Sequence, residues 1–234
     1  MHAPLSTLKI LDFSTLLPGP FASKTLADLG AEVLRVETSS RPDITRILPS
    51  NVKGSLNAHA SLNRSKHSIG LNLKHPEAVK IVNQLVKKYD IVLEQFRPGV
   101  MKRLGLDYKQ LRIQNPSLIF CSLTGYGQTG SYKYRAGHDL NYLAISGFSN
   151  YSRRKNELPV PLGVQVADIA GGSYHVVIGI LSAVIHRHLT GEGQAIDISI
   201  ADAMFSMNVF EGANWLAGGE GAEPESSFLN GGTL

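Results

Sequence analysis

The residues best suited to chemistry fall on one loop and at one helix start. Ala136-Gly-His-Asp139 sets an imidazole beside a carboxylate, and histidine is the side chain whose proton affinity best matches transfer near neutral pH. The same dipeptide also suits a loop histidine held by ordinary hydrogen bonds, because nothing local shows that His138 faces a cleft. Asp168 stands where the strand-like run Leu162 to Val166 gives way to an apolar helical stretch. Its simplest role there is an N-cap for exposed backbone amides. A carboxylate so placed is also held rigidly beside helix-terminal amides that stabilise a negative oxygen, so capping and catalysis are compatible. Upstream of His138, Gly125-Tyr-Gly-Gln-Thr-Gly130 follows a predicted strand and matches a G-x-G-x-x-G loop. The next residues, Ser131-Tyr-Lys-Tyr-Arg-Ala-Gly137, lack an apolar helical period, and no acidic residue is placed to hold a ribose. A plain glycine loop is therefore the better reading than a dinucleotide site.

Several function classes lack their signatures. The sequence has no G-x-S-x-G elbow and no Walker loop, which counts against serine hydrolases and nucleoside triphosphatases. No zinc-ligand spacing appears either; His186 and His188 diverge around one helix and suit the negative end of its dipole better than a metal ion. Lys and Arg number 23 against 19 Asp and Glu, without the clustered basic stripe of a nucleic-acid binder, so an anionic small ligand suits the charge better. The single cysteine, Cys121, lies in the apolar run Ser117 to Leu123, where packing is its expected role; no intrachain disulfide is possible, and a reducing compartment fits. The N-terminus has no basic stretch followed by an apolar run, so no signal peptide is expected. The longest apolar segment, Val176 to Ile185, is shorter than the roughly 20 residues that cross a bilayer, which predicts a buried core helix.

The elements that must position these residues follow from periodicity. Apolar content of 43% allows a sizeable core. Short apolar runs alternate with helical patterns, as in a Rossmann-like parallel sheet with covering helices. Leu8 to Phe13 reads as a strand, Pro20 to Leu29 as a helix closed by Gly30, and Glu32 to Val36 as the next strand. Thr38 to Ala60 reads as loop and Ser68 to Leu73 as strand. A helix begins at Pro76 with Ala78, Ile81, Val82, Leu85 and Val86 on one face. Further strands are expected at Ile91 to Leu93 and Leu118 to Leu123, with short helical stretches around Lys102 and Gln110. A long helix from Asp168 to about Leu189 is apolar nearly all round and should be central, with Gly171, Gly172, Gly179 and Ala183 admitting close neighbours. A strand from Ala195 to Ile200 and a helix from about Asp202 to Leu216 follow. Gly218 to Glu225 reads as linker, and Leu229 to Leu234 as entry into a further segment.

Read in order, Leu17-Pro-Gly-Pro-Phe21, Leu26-Ala-Asp-Leu-Gly-Ala-Glu-Val33, Asn63-Arg-Ser-Lys66, Leu71-Asn-Leu-Lys74 and Phe96-Arg-Pro-Gly-Val100 resemble the CaiB/BaiF family, the family III CoA transferases. The glycine loop, Ala136-Gly-His-Asp139, Ala167-Asp168 before Gly171-Gly172, and Thr190-Gly-Glu-Gly-Gln194 continue the series almost from end to end. Gly-His-Asp resembles the alpha-methylacyl-CoA racemase branch in particular.

The resemblance implies an α/β enzyme whose Rossmann-like large domain, residues 1–217, binds coenzyme A as part of its substrate, with residues 218–234 leading toward a second, smaller domain beyond the sequence. It implies CoA contacts from Leu71, Asn72, Leu73, Lys74, Arg97 and the segment Gly137, Asp139, Leu140, Asn141 and Tyr142. Many relatives carry a basic residue where this chain has Thr38, which implies that the 3′-phosphate contact either shifts to Arg41 or is lost. In racemase-like members, the residues matching His138 and Asp168 exchange the proton alpha to the thioester through an enolate; in transferases, the matching aspartate forms an anhydride and then an aspartyl-CoA thioester. No metal or redox cofactor, an interlocked homodimer, no nucleic-acid or membrane partner, and a cytoplasmic location are the further expectations. Relatives continue into a domain supplying another site carboxylate and the rest of the acyl pocket, so a chain of this length could also be an inactive CoA-binding fragment or half of a split enzyme.

Overall fold

The computed structural model describes residues 3–38, 41–47, 57–221 and 223–226. Six strands, β1 (Lys9–Asp12), β2 (Glu32–Glu37), β3 (His67–Gly70), β4 (Ile91–Glu94), β5 (Ile119–Thr124) and β6 (Ala195–Ser199), pair in parallel in the order β3-β2-β1-β4-β5-β6. The chain builds outward from β1, returns to the middle at β4, and then builds outward on the other side. The expected Rossmann-like sheet is thus the observed architecture. Its inner strands are apolar on both faces because helices cover both. Ile10, Val33, Ile91 and Ile119 enter one core with α1 (Pro18–Asp28) and, farther along the chain, α8 (His175–Thr190) and α9 (Ile200–Met207). Leu11, Val92 and Phe120 enter the other, with α3 (Pro76–Val86) and α5 (Tyr108–Gln114). The remaining helices are α2 (Asn57–Asn63), α4 (Val100–Arg103), α6 (Asp139–Ile145), α7 (Phe148–Tyr151) and α10 (Val209–Leu216).

Local sequence accounts for most boundaries. Proline opens α1 and α3, where its missing amide costs nothing, and His75 caps α3 by accepting from the Glu77 amide at 3.2 Å. Cys121 is wholly buried, and burial pushes its thiol up. The small residues of the long helical run do admit neighbours: a Cβ at Gly171 would stand 2.9 Å from Met204, and one at Gly172 would stand 3.1 Å from Pro18.

Five expectations need correction. Leu162 to Val166 forms no strand; Leu162 and Val164 are exposed, without a ladder partner. The long helix begins as a π-helical turn, Ala167–Tyr174, that runs into α8, and it is not central. One side packs on β5, β6 and α1, whereas Ile178 and Ile185 are 60% and 61% exposed. The run Ala167–Thr190 is also 24 residues long and apolar enough to cross a membrane, so the count over Val176 to Ile185 does not exclude a span on length. Its packing against the sheet, with Val176, Ile180 and Ala183 buried, is what marks it as a core helix. The segment Asp202 to Leu216 is two helices, broken at Asn208, and the loop predicted from Thr38 to Ala60 contains a 3₁₀ turn at Ile44–Arg46 and the start of α2; its remainder lies partly outside the described residues.

Asp12 anchors the carboxyl end of β1, a strand in the middle of the sheet. It is fully buried and accepts from the Ser14 amide at 2.9 Å, from both the Ser14 and Ser23 hydroxyls, and from Lys66 Nζ at 3.4 Å. Lys66 also donates to the Pro20 carbonyl at 2.9 Å and to Asn63 at 3.1 Å. Burial pulls its ammonium below the usual lysine range, and Asp12 opposes that pull. Removing the carboxylate strands a buried cation. Asp12→Ala is therefore expected to cost about 3–5 kcal/mol in denaturant unfolding, with part of the loss recovered in the double variant Asp12→Ala/Lys66→Met.

Candidate active site

A cavity of about 310 Å³ opens at the carboxyl ends of the strands, between β1 and β4, where the order of the sheet reverses. Ligands of open α/β sheets bind at such a switch point because the loops diverge there. Leu16 and Pro18 reach it from the loop after β1, Gln95 to Pro98 from the turn after β4, Thr124 from the end of β5, and Gly125, Lys133 and Arg135 to His138 from the segment that follows. Asp168 reaches it from the π-helical turn.

His138 occupies the N-cap of α6 in an extended conformation. Its amide donates to Asn141 Oδ1 at 2.9 Å, which closes the first turn. The next residue, Asp139, points inward, is buried, and accepts the backbone amide of Asp168 at 3.0 Å. The start of α6 and the start of the π-helical turn are thereby clamped together, and His138 and Asp168 both line the cavity. Asp168 is therefore not an N-cap: it is the second residue of the turn, and its own amide is the one being capped. Burial pushes its carboxyl up to about 6, the nearby Asp139 charge adds to the rise, and His138 opposes it. Ser173 ties the same turn to α1, donating to the Pro18 carbonyl at 2.7 Å.

Tyr142 packs behind this pair, edge-on to Tyr126 with ring centroids 5.3 Å apart. Glycine at 137 makes room for it, since a Cβ there would stand 2.7 Å from the Tyr142 ring. A second cavity of about 300 Å³ lies beside β2 and β3, lined by Phe13, Thr38 and the run Leu71 to Lys74, and Arg41 and Phe96 border both cavities. Arg35 forms part of its floor, buried and paired with Asp43 at 2.5 Å; Asp43 also accepts the amide of Leu16 at 3.1 Å.

Of the residues singled out from the sequence, His138, Asp168, Arg97, Gly137, Tyr142 and Arg41 meet at the first cavity, and Leu71, Asn72, Leu73, Lys74 and again Arg41 line the second. Three line neither. Asp139 is a buried brace, Asn141 serves as a cap, and Leu140 is turned outward and 51% exposed. Sequence reasoning missed Gln95, Thr124, Lys133 and Arg135, which also line the first cavity. The two cations flanking Tyr134, just before Gly-His-Asp, were the available signal. Among the described residues, no group of three or more His, Cys, Asp or Glu side chains is placed to hold a metal ion.

Residues 5–230 match the sequence model described as CoA-transferase family III. The chain belongs to that family. It is 39% identical over 224 residues to a succinate–glutarate CoA-transferase of Agrobacterium fabrum, a match that covers 92% of this chain and 56% of that protein. It is also 39% identical over 208 residues to human alpha-methylacyl-CoA racemase, covering 88% of this chain and 50% of the racemase. A crystal structure of a CaiB/BaiF family protein from Brucella suis superposes with a TM-score of 0.88 at 36% identity, over 96% of this chain and 60% of that one. This family member thus spans about half the length of the curated relatives it matches.

The raised Asp168 carboxyl makes stability depend on pH. Between about pH 4 and 6 the folded chain holds a proton there that the unfolded chain has released, so this contribution is present at low pH and is lost as pH rises through about 6. Asp168→Asn removes the buried charge. The variant is expected to be more stable than the parent by on the order of 1–3 kcal/mol at pH 8, with the gain shrinking toward pH 4 in a series of thermal melts.

Proposed function

We propose that this chain carries the acyl-CoA site of a racemase-like enzyme, in which His138 and Asp168 exchange the proton alpha to the thioester of a 2-methylacyl-CoA. The observation that carries the reading is their convergence: an imidazole and a carboxyl raised to about 6 border one cavity, both suited to proton transfer near neutral pH. The pair holds one mobile proton. In one direction the neutral imidazole takes the alpha proton and becomes imidazolium, the thioester becomes an enolate, and protonated Asp168 returns a proton to the opposite face, leaving a carboxylate. In the other direction the carboxylate takes the proton and the imidazolium returns one. The nucleotide end of CoA would occupy the cavity of Leu71 to Lys74, with Arg41 near a phosphate, and pantetheine would pass Phe96 and Arg97 to reach the pair.

A second reading makes Asp168 the nucleophile of a CoA transferase, acylated and then converted to an aspartyl-CoA thioester. It is favoured by a carboxylate that makes no hydrogen bond with any described residue and by relatives named CoA-transferases. In either reading residues 1–217 form the CoA-binding domain and residues 218–234 lead toward a second domain that completes an interlocked homodimer.

Deuterium wash-in separates the two. Racemase chemistry is expected to place deuterium on the alpha carbon of a 2-methylacyl-CoA in heavy water with no acceptor acid present. His138→Ala should lower that rate by about 10²–10⁴-fold with the fold intact. In the direction that uses Asp168 as base, the rate should fall as pH drops through about 6, because the carboxylate is then protonated. Movement of label from a free acid into acyl-CoA, with hydroxylamine trapping Asp168, would instead establish the transferase. CoA binding with neither activity would identify a binding unit that needs its complement.

A further inference from the structure

Glu94 is a buried carboxylate that neither proposed chemistry uses. It ends β4 with 4% of its surface exposed. Its Oε2 accepts the Phe96 amide at 2.8 Å, and the Ser122 hydroxyl donates to it as well. Strand register places Glu94 beside Ser122 on β5 and Ser122 beside Asp197 on β6, so the three side chains form a row across one face of the sheet. Asp197 in turn accepts the Gln128 amide at 2.9 Å. Each acid therefore grips a backbone amide in a segment that leaves the sheet beside the cavity. The Glu94 segment matters more for the site, because Phe96 borders both cavities, while Gln95 and Arg97 line the first. A second tether holds the same turn to α1, where the Gly19 amide donates to Gln95 at 3.1 Å.

We propose that Glu94 is a positioning residue of the acyl-CoA site, acting through the Phe96 amide to fix the Gln95 to Pro98 turn that divides the two cavities. This rests on the acyl-CoA reading above. An ionised carboxylate accepts a backbone hydrogen bond more strongly than a neutral acid, so the grip depends on pH. Burial, reinforced by the Asp197 charge, pushes Glu94 up to about 7, while the bonds from Ser122 and Phe96 pull the other way. The titratable groups that act with it are Asp197 on β6 and the Cys121 thiol on β5, and no cation among the described residues acts on it. The turn is held tightly above about pH 7 and more loosely below.

Two variants and two readouts test this. Glu94→Ala removes the acceptor; Glu94→Gln keeps an acceptor oxygen and removes the charge. In Glu94→Ala the Phe96 amide is expected to exchange with heavy water about tenfold faster than in the parent, and CoA itself, titrated calorimetrically, should bind about tenfold more weakly. In Glu94→Gln exchange at pH 8 should lie between the parent and Glu94→Ala, and the gain in CoA affinity between pH 6 and pH 8 should be smaller than in the parent, what remains coming from Asp168 and the ligand's own phosphates. Parental exchange or parental CoA affinity in folded Glu94→Ala would overturn the proposal. So would an unchanged pH step in Glu94→Gln, which decides the matter even where Glu94→Ala fails to fold. No CoA binding by the parent chain would overturn the acyl-CoA reading and this proposal with it, whereas parental binding that Glu94→Ala leaves intact overturns this proposal alone.

Discussion

The site depends on one hydrogen bond between groups distant along the chain: the Asp168 amide donating to the Asp139 carboxylate at 3.0 Å. The carboxylate follows directly after His138, and the amide belongs to the residue whose carboxyl faces the cavity. A single contact thus sets the spacing of the two candidate proton-transfer groups. It is charge-assisted and buried, where such bonds are strong and where losing one partner is costly. The π-helical geometry that follows Asp168 fits the same constraint. An α-helix widened by one residue per turn is an uncommon conformation that recurs at functional sites, and here it begins where the backbone amide is taken by a side chain from another element.

The sheet supplies the rigid frame for that contact. Reversal of strand order between β1 and β4 splays the loops after β1, β4 and β5, and the two cavities open along the edge so formed. Polar groups buried at the strand ends keep those loops in place: Asp12 with Lys66 under α1, Asp43 with Arg35 beneath the loop that carries Leu16, and Glu94 beneath Phe96. Each carboxylate accepts a backbone amide as well as a side-chain donor, so each ties a departing loop to the sheet.

Charge around the first cavity gives the mild basic excess of the sequence a location. Arg41, Arg97, Lys133 and Arg135 all line it, and none of the four forms an ion pair with a described residue. Lys133 and Arg135 lie over the neighbouring Tyr134 and Tyr132 rings instead, at 5.0 and 4.3 Å from their centroids. Cations held by aromatic faces keep their charge available, which suits a polyanionic ligand such as CoA.

By itself, the sequence determined what is written in short-range patterns. Apolar runs gave the six strands to within three residues, though they also suggested a strand at Leu162 to Val166 that does not form; Pro76 and the apolar face after it placed α3, and the ordered motifs identified the family. These features depend on backbone sterics and on burial of one face, both encoded within a few neighbouring residues. Only the tertiary structure decided that Asp168 is capped rather than capping, that Leu140 turns outward directly after the inward-facing Asp139, and that one apolar side of α8 stays uncovered in this chain. Only it could raise Asp168 and Glu94 toward neutrality, because a carboxyl's proton affinity is set by desolvation and by charges brought near from other strands and loops. Those contacts join residues far apart in the chain, and no local periodicity records them.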